Sequence, residues 1–342
     1  MRENSSISNS KTIFKILIFL ICCGFIFSYF GKKYEQAADK NVINYFTKAR
    51  FDDFYAIPEN TLDLVFVGSS HSYCSFDPEN FDDELNILSH QMGTPLQHPD
   101  TTYYELLEIY KTQNPKVVVM EVYFDMLNDD FEMKQASSFF EVLNDTDMKE
   151  RYIKEAFPLN EKIKYKLAPV RFQQDYFAYE GNEISKKLEE NLGVYKKAVE
   201  TNGIEEYRLK GYVYCDTVMV DSEYDETNQF KGFDGKTWEF SKVQKEYLEK
   251  IIKLCEEKGS ELIFVTAPIA NVSVDYLSHY EFVHNEISAF AEEYGIPYYD
   301  YILIAKEEKM FENENFRDDA HLNDSGVKIL DEHFIEILRE YF

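Results

Sequence analysis

The sequence predicts an α/β protein. The expected architecture is a three-layer α/β/α sandwich on a parallel sheet of about five strands, with a helical insertion and an N-terminal transmembrane helix. Three observations lead there. Short, nearly unbroken apolar runs at 62–67, 116–122 and 262–266 read as strands buried on both faces. Amphipathic runs at helical spacing alternate with them, and that rhythm implies parallel strands joined by right-handed crossovers. Residues 13–30 are almost wholly apolar, close to the roughly 20 residues that cross a hydrocarbon core once Lys15 is allowed to snorkel.

Taken in order, residues 1–31 read as a short cytoplasmic tail and a transmembrane signal anchor. Arg2, Lys11 and Lys15 precede the apolar run and Lys32 and Lys33 follow it, so charge alone leaves the orientation open. No Ala-x-Ala site follows cleanly, which favours an uncleaved anchor over a removed signal peptide. Cys22 and Cys23 lie inside the run without the small residue a lipoprotein site carries in front. Residues 32–60 are polar with scattered aromatics and read as a helical stalk.

The sandwich is expected over 61–124 and 241–342. Its first strand, 62–67, ends at Gly68, and a shorter strand at 86–88 is closed by Gly93 and Pro95. A helix then begins at Thr102, where Glu105 completes a capping box and Tyr103, Leu106, Leu107 and Tyr110 share a face. Pro115 stops it before the central strand, 116–122. From 125 to 240 the pattern becomes charged, Tyr-rich and irregular, with helical stretches such as 184–199, and reads as a mostly helical insertion or lid. The α/β rhythm resumes with Val243, Tyr247, Ile251, Ile252 and Cys255 at helical spacing, stopped by Gly259. A strand at 262–266, a helix at 283–294 and a short strand at 297–299 follow. The closing helix starts near Asn323 and carries Val327, Leu330, Phe334 and Leu338 on one side.

Bulk properties narrow the function. The 342 residues carry a formal net charge of -27 and include 26 Tyr and 28 Phe, enough for a large aromatic core. Neutralising phosphates needs clustered Lys and Arg, so this charge argues against a nucleic-acid partner, and equally against a soluble face that hugs anionic lipid. Of the five Cys, two lie in the anchor, and Cys74, Cys215 and Cys255 form no close pair. No disulfide framework and no zinc spacing result, and no metal or other cofactor is expected.

Two short motifs carry the chemistry. Gly68-Ser69-Ser70-His71-Ser72 directly follows the first strand, and Asp318-Asp319-Ala320-His321-Leu322-Asn323 precedes the closing helix. In an open parallel sheet, ligands sit beyond the carboxyl ends of the strands. Ser70 follows the first strand, Gly93 the second, and Asp318 and His321 the last, so these segments belong on one edge. A serine hydroxyl is a weak nucleophile until a base takes its proton, and imidazole titrates in the right range. A carboxylate fixes the ring tautomer and stabilises the imidazolium. Ser70, His321 and Asp318 are therefore candidates for nucleophile, base and orienting acid, with Asp319 able to replace Asp318.

Blander readings exist for each piece. Gly-Ser-Ser after a strand is often an ordinary turn, and Asp-x-x-His often a helix cap with a surface His, since Asn323 and Asp324 cap well themselves. Together, in this order and at these strand ends, the motifs favour catalysis. His71 is expected to point away or bind substrate rather than act as base. Gln97 and His98 line the cleft or simply pack their loop, and Asp300 is a turn cap or a buried functional group.

These residues resemble the SGNH hydrolase family, also called GDSL-like. In layout they are similar to its membrane-anchored bacterial branches, the D-alanyl transfer protein of teichoic acid modification and the O-acyl-transfer proteins of surface polysaccharides. The resemblance covers about 62 to 122 and 243 to 342, and implies a flavodoxin-like sandwich. It makes Ser70 the nucleophile of the block Gly68-Ser69-Ser70, with Ser69 in the middle position as in the anchored branches, His321 the base and Asp318 its partner. Met92-Gly93-Thr94 fits the second block, whose Gly N–H would join the Ser70 N–H in holding an oxyanion. The third block normally supplies an Asn, and Glu121-Val122-Tyr123-Phe124 stands there instead. The anchored transfer branches depart at the same place, so the gap points to transfer or narrow specificity as much as to inactivity.

The resemblance thus implies a membrane-anchored, extracytoplasmic serine esterase or O-acyltransferase. Ser70, Asp318 and His321 would catalyse, and Gly93, Ser69, His71 and Gln97 would serve the oxyanion and the substrate. The substrate would be an acylated envelope polymer or a sugar acceptor, and a membrane-bound O-acyltransferase would be the partner. The alternative is a catalytically impaired module of the same fold that binds glycan or scaffolds an acyl-transfer complex. A cytoplasmic-facing esterase would need the opposite anchor topology.

Overall fold

The structure, a computed structural model, describes residues 4–38, 45–171, 176–177, 201–202, 204–220 and 224–342. The helical stretch expected at 184–199 lies outside these residues. Two compact units are formed, one from Met1–Ile43 with Phe157–Lys196, the other from Asn44–Ala156 with Lys197–Phe342.

In chain order the strands of the second unit are β1 (Leu64–Val67), β2 (Ser89–Gln91), β3 (Val117–Glu121), β4 (Thr201–Asn202), β5 (Glu205–Tyr207), β6 (Val213–Tyr214), β7 (Glu261–Thr266) and β8 (Tyr298–Asp300). Five of them form the expected sheet, ordered β2-β1-β3-β7-β8, with every pairing parallel. The order reverses beside β1: the chain first steps outward to β2, then returns to β3 on the other side. A crevice opens beyond the strand ends at such a reversal, and both motifs converge there.

Burial on both faces explains why the strands read as apolar runs. Leu64, Phe66, Val117, Val119, Ile263 and Val265 share one core with Phe81, Tyr301, Leu330 and Phe334. Those partners come from the helices Pro78–Leu85, Tyr301–Glu308 and Asp324–Leu338. Phe66, Phe76 and Phe81 stack around one another at 4.9–6.2 Å between ring centroids, and Phe334 closes on Phe76 at 5.5 Å. The opposite face is buried as well, and the helices Pro99–Ile109 and Lys242–Lys258 pack together there. Lys242–Lys258 ends as expected at Gly259, left-handed at φ 74°.

Several boundaries shift for local reasons. Asn86 adopts a left-handed φ of 54° and ends the helix Pro78–Leu85, so the strand expected at 86–88 begins at Ser89 instead. The helix expected from Thr102 begins at Pro99, because a first-turn Pro lacks only an N–H that has no partner there anyway. Thr102 and Glu105 are therefore inside the helix, where both hydrogen-bond Gln97. Asp300 caps the helix Tyr301–Glu308 and also accepts hydrogen bonds from Tyr280, Tyr298 and His284.

The segment read as stalk is different in kind. Tyr45–Ala56 is a helix of the second unit, with Thr47, Arg50, Phe51 and Phe54 buried. Those positions follow the i, i+3, i+4, i+7 spacing of a core-facing stripe, but a Thr and an Arg occupy two of them. Within the span read as an insertion, helices at Phe124–Asn128, Met133–Phe140 and Thr146–Glu155 lead to the antiparallel sheet β4-β5-β6.

In the first unit the helix Asn4–Ala38 is long and apolar enough, over Lys11–Gln36, to cross a membrane. The short helix Ala168–Arg171 of the same unit lies against it, and Leu159–Lys166 packs in turn on Ala168–Arg171.

Candidate active site

β1 delivers its last residue, Val67, into a turn that only glycine can make. Gly68 has φ 133°, and a Cβ there would sit 2.8 Å from the Cβ of Glu121 and 2.9 Å from its carbonyl oxygen. Ser69 then caps the short helix Ser70–Tyr73 by accepting the His71 N–H at 3.2 Å. Its hydroxyl in turn donates to Glu121 Oε2 at 2.7 Å, and its N–H donates to the same oxygen at 2.9 Å. Ser69 is thus committed to Glu121, while Ser70, one residue on, is partly exposed.

The second motif is a loop closed by its own acid. A bridge between Phe316 and Leu322 and a hydrogen bond from Arg317 N–H to His321 O at 3.0 Å pinch it shut. Asp318 Oδ1 accepts the N–H groups of Ala320 at 2.8 Å and His321 at 2.7 Å. The Asp-x-x-His spacing is what lets one carboxylate hold the turn and still reach the imidazole. Both its oxygens lie 3.0 Å from His321 Nδ1. Burial pushes the Asp318 carboxyl up, but His321, the loop N–H and Arg317 together hold it well below the usual carboxylate range. An ionised carboxylate can only accept, so Nδ1 carries the proton and Nε2 is left as acceptor. His321 Nε2 lies 2.9 Å from Ser70 Oγ. The hydroxyl therefore donates to the imidazole across 251 residues of sequence.

Other candidates fall on different sides of this centre. His71 is buried beside it, its ring stacked 4.6 Å from His321 on one face and 4.1 Å from Tyr123 on the other. Burial and then the neighbouring His321 lower its pKa well below the ordinary imidazole value, so it is a neutral spacer. Asp319 turns away and accepts the backbone and side-chain N–H of Gln229, both at 2.6 Å. Gln97 accepts from Thr94 N–H and donates to Thr102 and Glu105, so its side chain is spent within its own loop. His98 is buried at the start of Pro99–Ile109, and burial lowers its pKa to about 4.

The oxyanion side is unevenly furnished. The Ser70 N–H carries no hydrogen bond among the described residues. The Gly93 N–H, expected as the second donor, is engaged by Gln91 Oε1 at 3.0 Å. Gln91 also accepts the Ser72 hydroxyl at 3.1 Å, so it knits the second-strand loop to the serine helix. At the end of β3, where an Asn would complete the set, Glu121 holds the turn under Ser69. Burial raises its pKa to about 7 against the two Ser69 hydrogen bonds, and its Oε1 is buried without a partner.

Two buried cations were not legible as site residues. Arg50 is fully buried, donates to Gly93 O at 2.7 Å and Gly211 O at 2.9 and 3.1 Å, and lies 4.5 Å from the Tyr73 ring centre. Arg317 contacts the Cys74 sulfur, pairs with Glu205 at 3.0 Å and lies 4.0 Å from Asp318. Burial pushes the Cys74 thiol up to about 12 despite Arg317, so it stays neutral. Arg317 stands directly before the motif, and that adjacency was the one available signal. Among the described residues no group of acidic, His or Cys side chains is arranged to hold a metal.

No protein-family model matches the chain, and no curated protein matches its sequence. Solved structures with a similar course of chain include a lipolytic protein of the G-D-S-L family from Desulfitobacterium hafniense. That protein is 12% identical, with 82% of this chain and 100% of that one covered at a TM-score of 0.38. An acylhydrolase from Bacteroides fragilis is 10% identical over 84% of this chain and 94% of that one, also at 0.38. A GDSL-like lipase from Bacteroides thetaiotaomicron is 9% identical over 87% and 100%, at 0.37.

Proposed function

We propose that this protein is a membrane-anchored, extracytoplasmic serine esterase or O-acyltransferase of the SGNH type, acting on an acylated envelope polymer or exported polysaccharide. One observation carries the reading: Ser70 Oγ, His321 Nε2, His321 Nδ1 and the Asp318 carboxylate form one continuous hydrogen-bonded chain. The apolar N-terminal helix suits an enzyme confined near a membrane-linked substrate.

The steps follow from those atoms. Ser70 Oγ attacks the ester carbonyl carbon as its proton passes to His321 Nε2, and Asp318 stabilises the resulting imidazolium. The Ser70 N–H receives the oxyanion, and the Gly93 N–H joins it once Gln91 lets go. Collapse breaks the ester bond, His321 returns its proton to the leaving alcohol, and the acyl group stays on Ser70. Water or a sugar hydroxyl then gives its proton to His321 and attacks the acyl carbon, the bond to Ser70 Oγ breaks, and His321 returns the proton to Ser70 Oγ. Each missing oxyanion donor costs roughly 100 to 1,000-fold in rate, so slow hydrolysis of small esters is expected, with a positioned polymer acceptor doing better.

A fluorophosphonate probe tests this. Ser70 should be labelled in the intact protein, Ser70→Ala should abolish labelling, and His321→Ala should remove most of it. Ser69→Ala should still label, since that hydroxyl serves Glu121. The engaged Gly93 N–H and the Glu121 in place of Asn favour a second reading, a glycan-binding or scaffolding module for an acyl-transfer complex with a membrane-bound O-acyltransferase. Absence of labelling in the folded protein, with unchanged envelope acylation in a Ser70→Ala strain, would select that reading.

A further inference from the structure

The anchor helix has a companion in its own unit. Residues 13–30 are almost wholly apolar and exposed along the helix, whereas Gly31 just beyond them is buried. What covers Gly31 is the segment at 168–169: a Cβ on Gly31 would lie 3.1 Å from Ala168 Cβ and 3.3 Å from Pro169 Cδ. One turn further, Tyr34 lies 4.5 Å from Tyr176 between ring centroids, and Lys33 lies over the same ring. Ala168–Arg171, the far end of the segment 159–171, therefore meets the helix where its apolar stretch gives way to polar residues, and Leu159–Lys166 extends from that contact. In a membrane-crossing helix that level is the headgroup layer, where aromatic and basic side chains gather.

The segment's own surface fits that level. Leu159 and Ile163 lie one turn apart on the helix Leu159–Lys166 and are 74% and 54% exposed. Past a break at Leu167 (φ -100°, ψ 89°), Leu167 and Val170 are 39% and 42% exposed. Isolated exposed apolar residues need no explanation, but a run of them along one short segment does. Lys162, Lys164 and Lys166 stand between them and Arg171 follows, against a single acid, Glu161, which pairs with Lys164 at 2.6 Å, in a chain whose net charge is -27. Apolar anchors interleaved with cations are the composition of a helix lying in a membrane surface. The whole-chain charge, which argued against contact with anionic lipid, conceals this local reversal.

We infer that residues 159–171 form a foot that lies in the surface of an anionic phospholipid bilayer beside the anchor helix, with Leu159, Ile163 and Leu167 in the acyl boundary and the Lys side chains among the headgroups. This goes beyond the proposed catalytic reading and depends only on the anchor helix being inserted. Gly31 matters because a larger side chain there would push the foot off the helix.

The test uses the full chain reconstituted in vesicles, with Cys22 and Cys23 replaced by Ala and an environment-sensitive fluorophore on Ile163→Cys, Leu167→Cys or Asn160→Cys. Quenching by lipids bearing a shallow nitroxide is compared with quenching by aqueous iodide. In bilayers containing phosphatidylglycerol, the labels at 163 and 167 should favour the lipid quencher over iodide by about 3-fold or more relative to the label at 160, as an in-plane amphipathic helix requires. Replacing Lys162, Lys164 and Lys166 by Glu should abolish that difference while leaving Ser70 labelling unchanged. Equal iodide access at 160, 163 and 167 overturns the proposal, as does protection seen only in native membranes, which would mean a protein covers the foot. A label on Ile18→Cys separates failure of the foot from failure of the anchor to insert.

Discussion

At the scale of the residue, Glu121 sets a pH dependence whose sign can be worked out. Its pKa is raised from 4.5 in the ordinary side chain to about 7 by burial. Below the unfolded value both states hold the proton and nothing is lost. Between pH 4.5 and 7 the unfolded chain ionises while the folded one does not, so stability falls with rising pH and levels above 7. Glu121→Gln keeps an oxygen for Ser69 but cannot ionise. Relative to the parent it should gain roughly 2–4 kcal/mol between pH 4.5 and 8, measured by urea unfolding at both. Equal pH dependence in the two proteins would show that Glu121 is ionised in the fold. Beside it, the stack of Tyr123, His71 and His321 makes a second test. On the proposed reading, His71→Ala should slow fluorophosphonate labelling of Ser70 about 10-fold by letting the His321 ring tilt, because small misplacements of a catalytic group are costly. His71→Phe should restore it. Rescue by a ring that cannot titrate would separate a spacer from a base.

At the scale of the element, the helix Tyr45–Ala56 reaches the site through a buried cation. Arg50→Leu leaves the carbonyls of Gly93 and Gly211 without their donor and should cost about 2–4 kcal/mol in urea unfolding, because unmet buried acceptors are expensive. A loss under about 0.5 kcal/mol, the scatter of an ordinary surface substitution, would mean that water replaces the guanidinium. This helix also shows where reading from sequence stops. The strands β1, β3 and β7 were legible because both their faces are apolar, whereas β2 is the polar Ser89-His90-Gln91 and fell just past the expected 86–88; Gly259 and Asn323 marked helix ends through chemistry that acts within one turn. The Asp-x-x-His loop was legible because Asp318 holds its own turn, and the serine turn through its place directly after an apolar strand, although its contacts to Glu121 and His321 are distant in sequence. Arg50 was not, because its partners are carbonyls 43 and 161 residues away and nothing in its neighbourhood announces them. Gln91 was missed likewise: its amide reaches across to Ser72, and no local pattern marks a glutamine that will occupy the Gly93 N–H. Asn86 and Pro99 moved two boundaries through backbone preferences that the apolar pattern outweighed.

At the scale of the whole molecule, the proposed topology places the N-terminus in the cytoplasm and residues 34–342 outside. A reporter enzyme that is active only after export, fused after Phe342, should give signal, and activity of a cytoplasm-only reporter at the same position would overturn the localisation and the envelope substrate together. The separation of Ser70 from His321 has a further consequence for how such a chain is made. The serine directly follows the first strand of the sheet and its imidazole lies in nearly the last loop, 251 residues later. During synthesis and passage across a membrane, Ser70 emerges long before His321, and an unassisted hydroxyl is close to inert. On the proposed reading, newborn and truncated chains are chemically silent, and a serine that becomes reactive marks the moment at which the C-terminus has folded home.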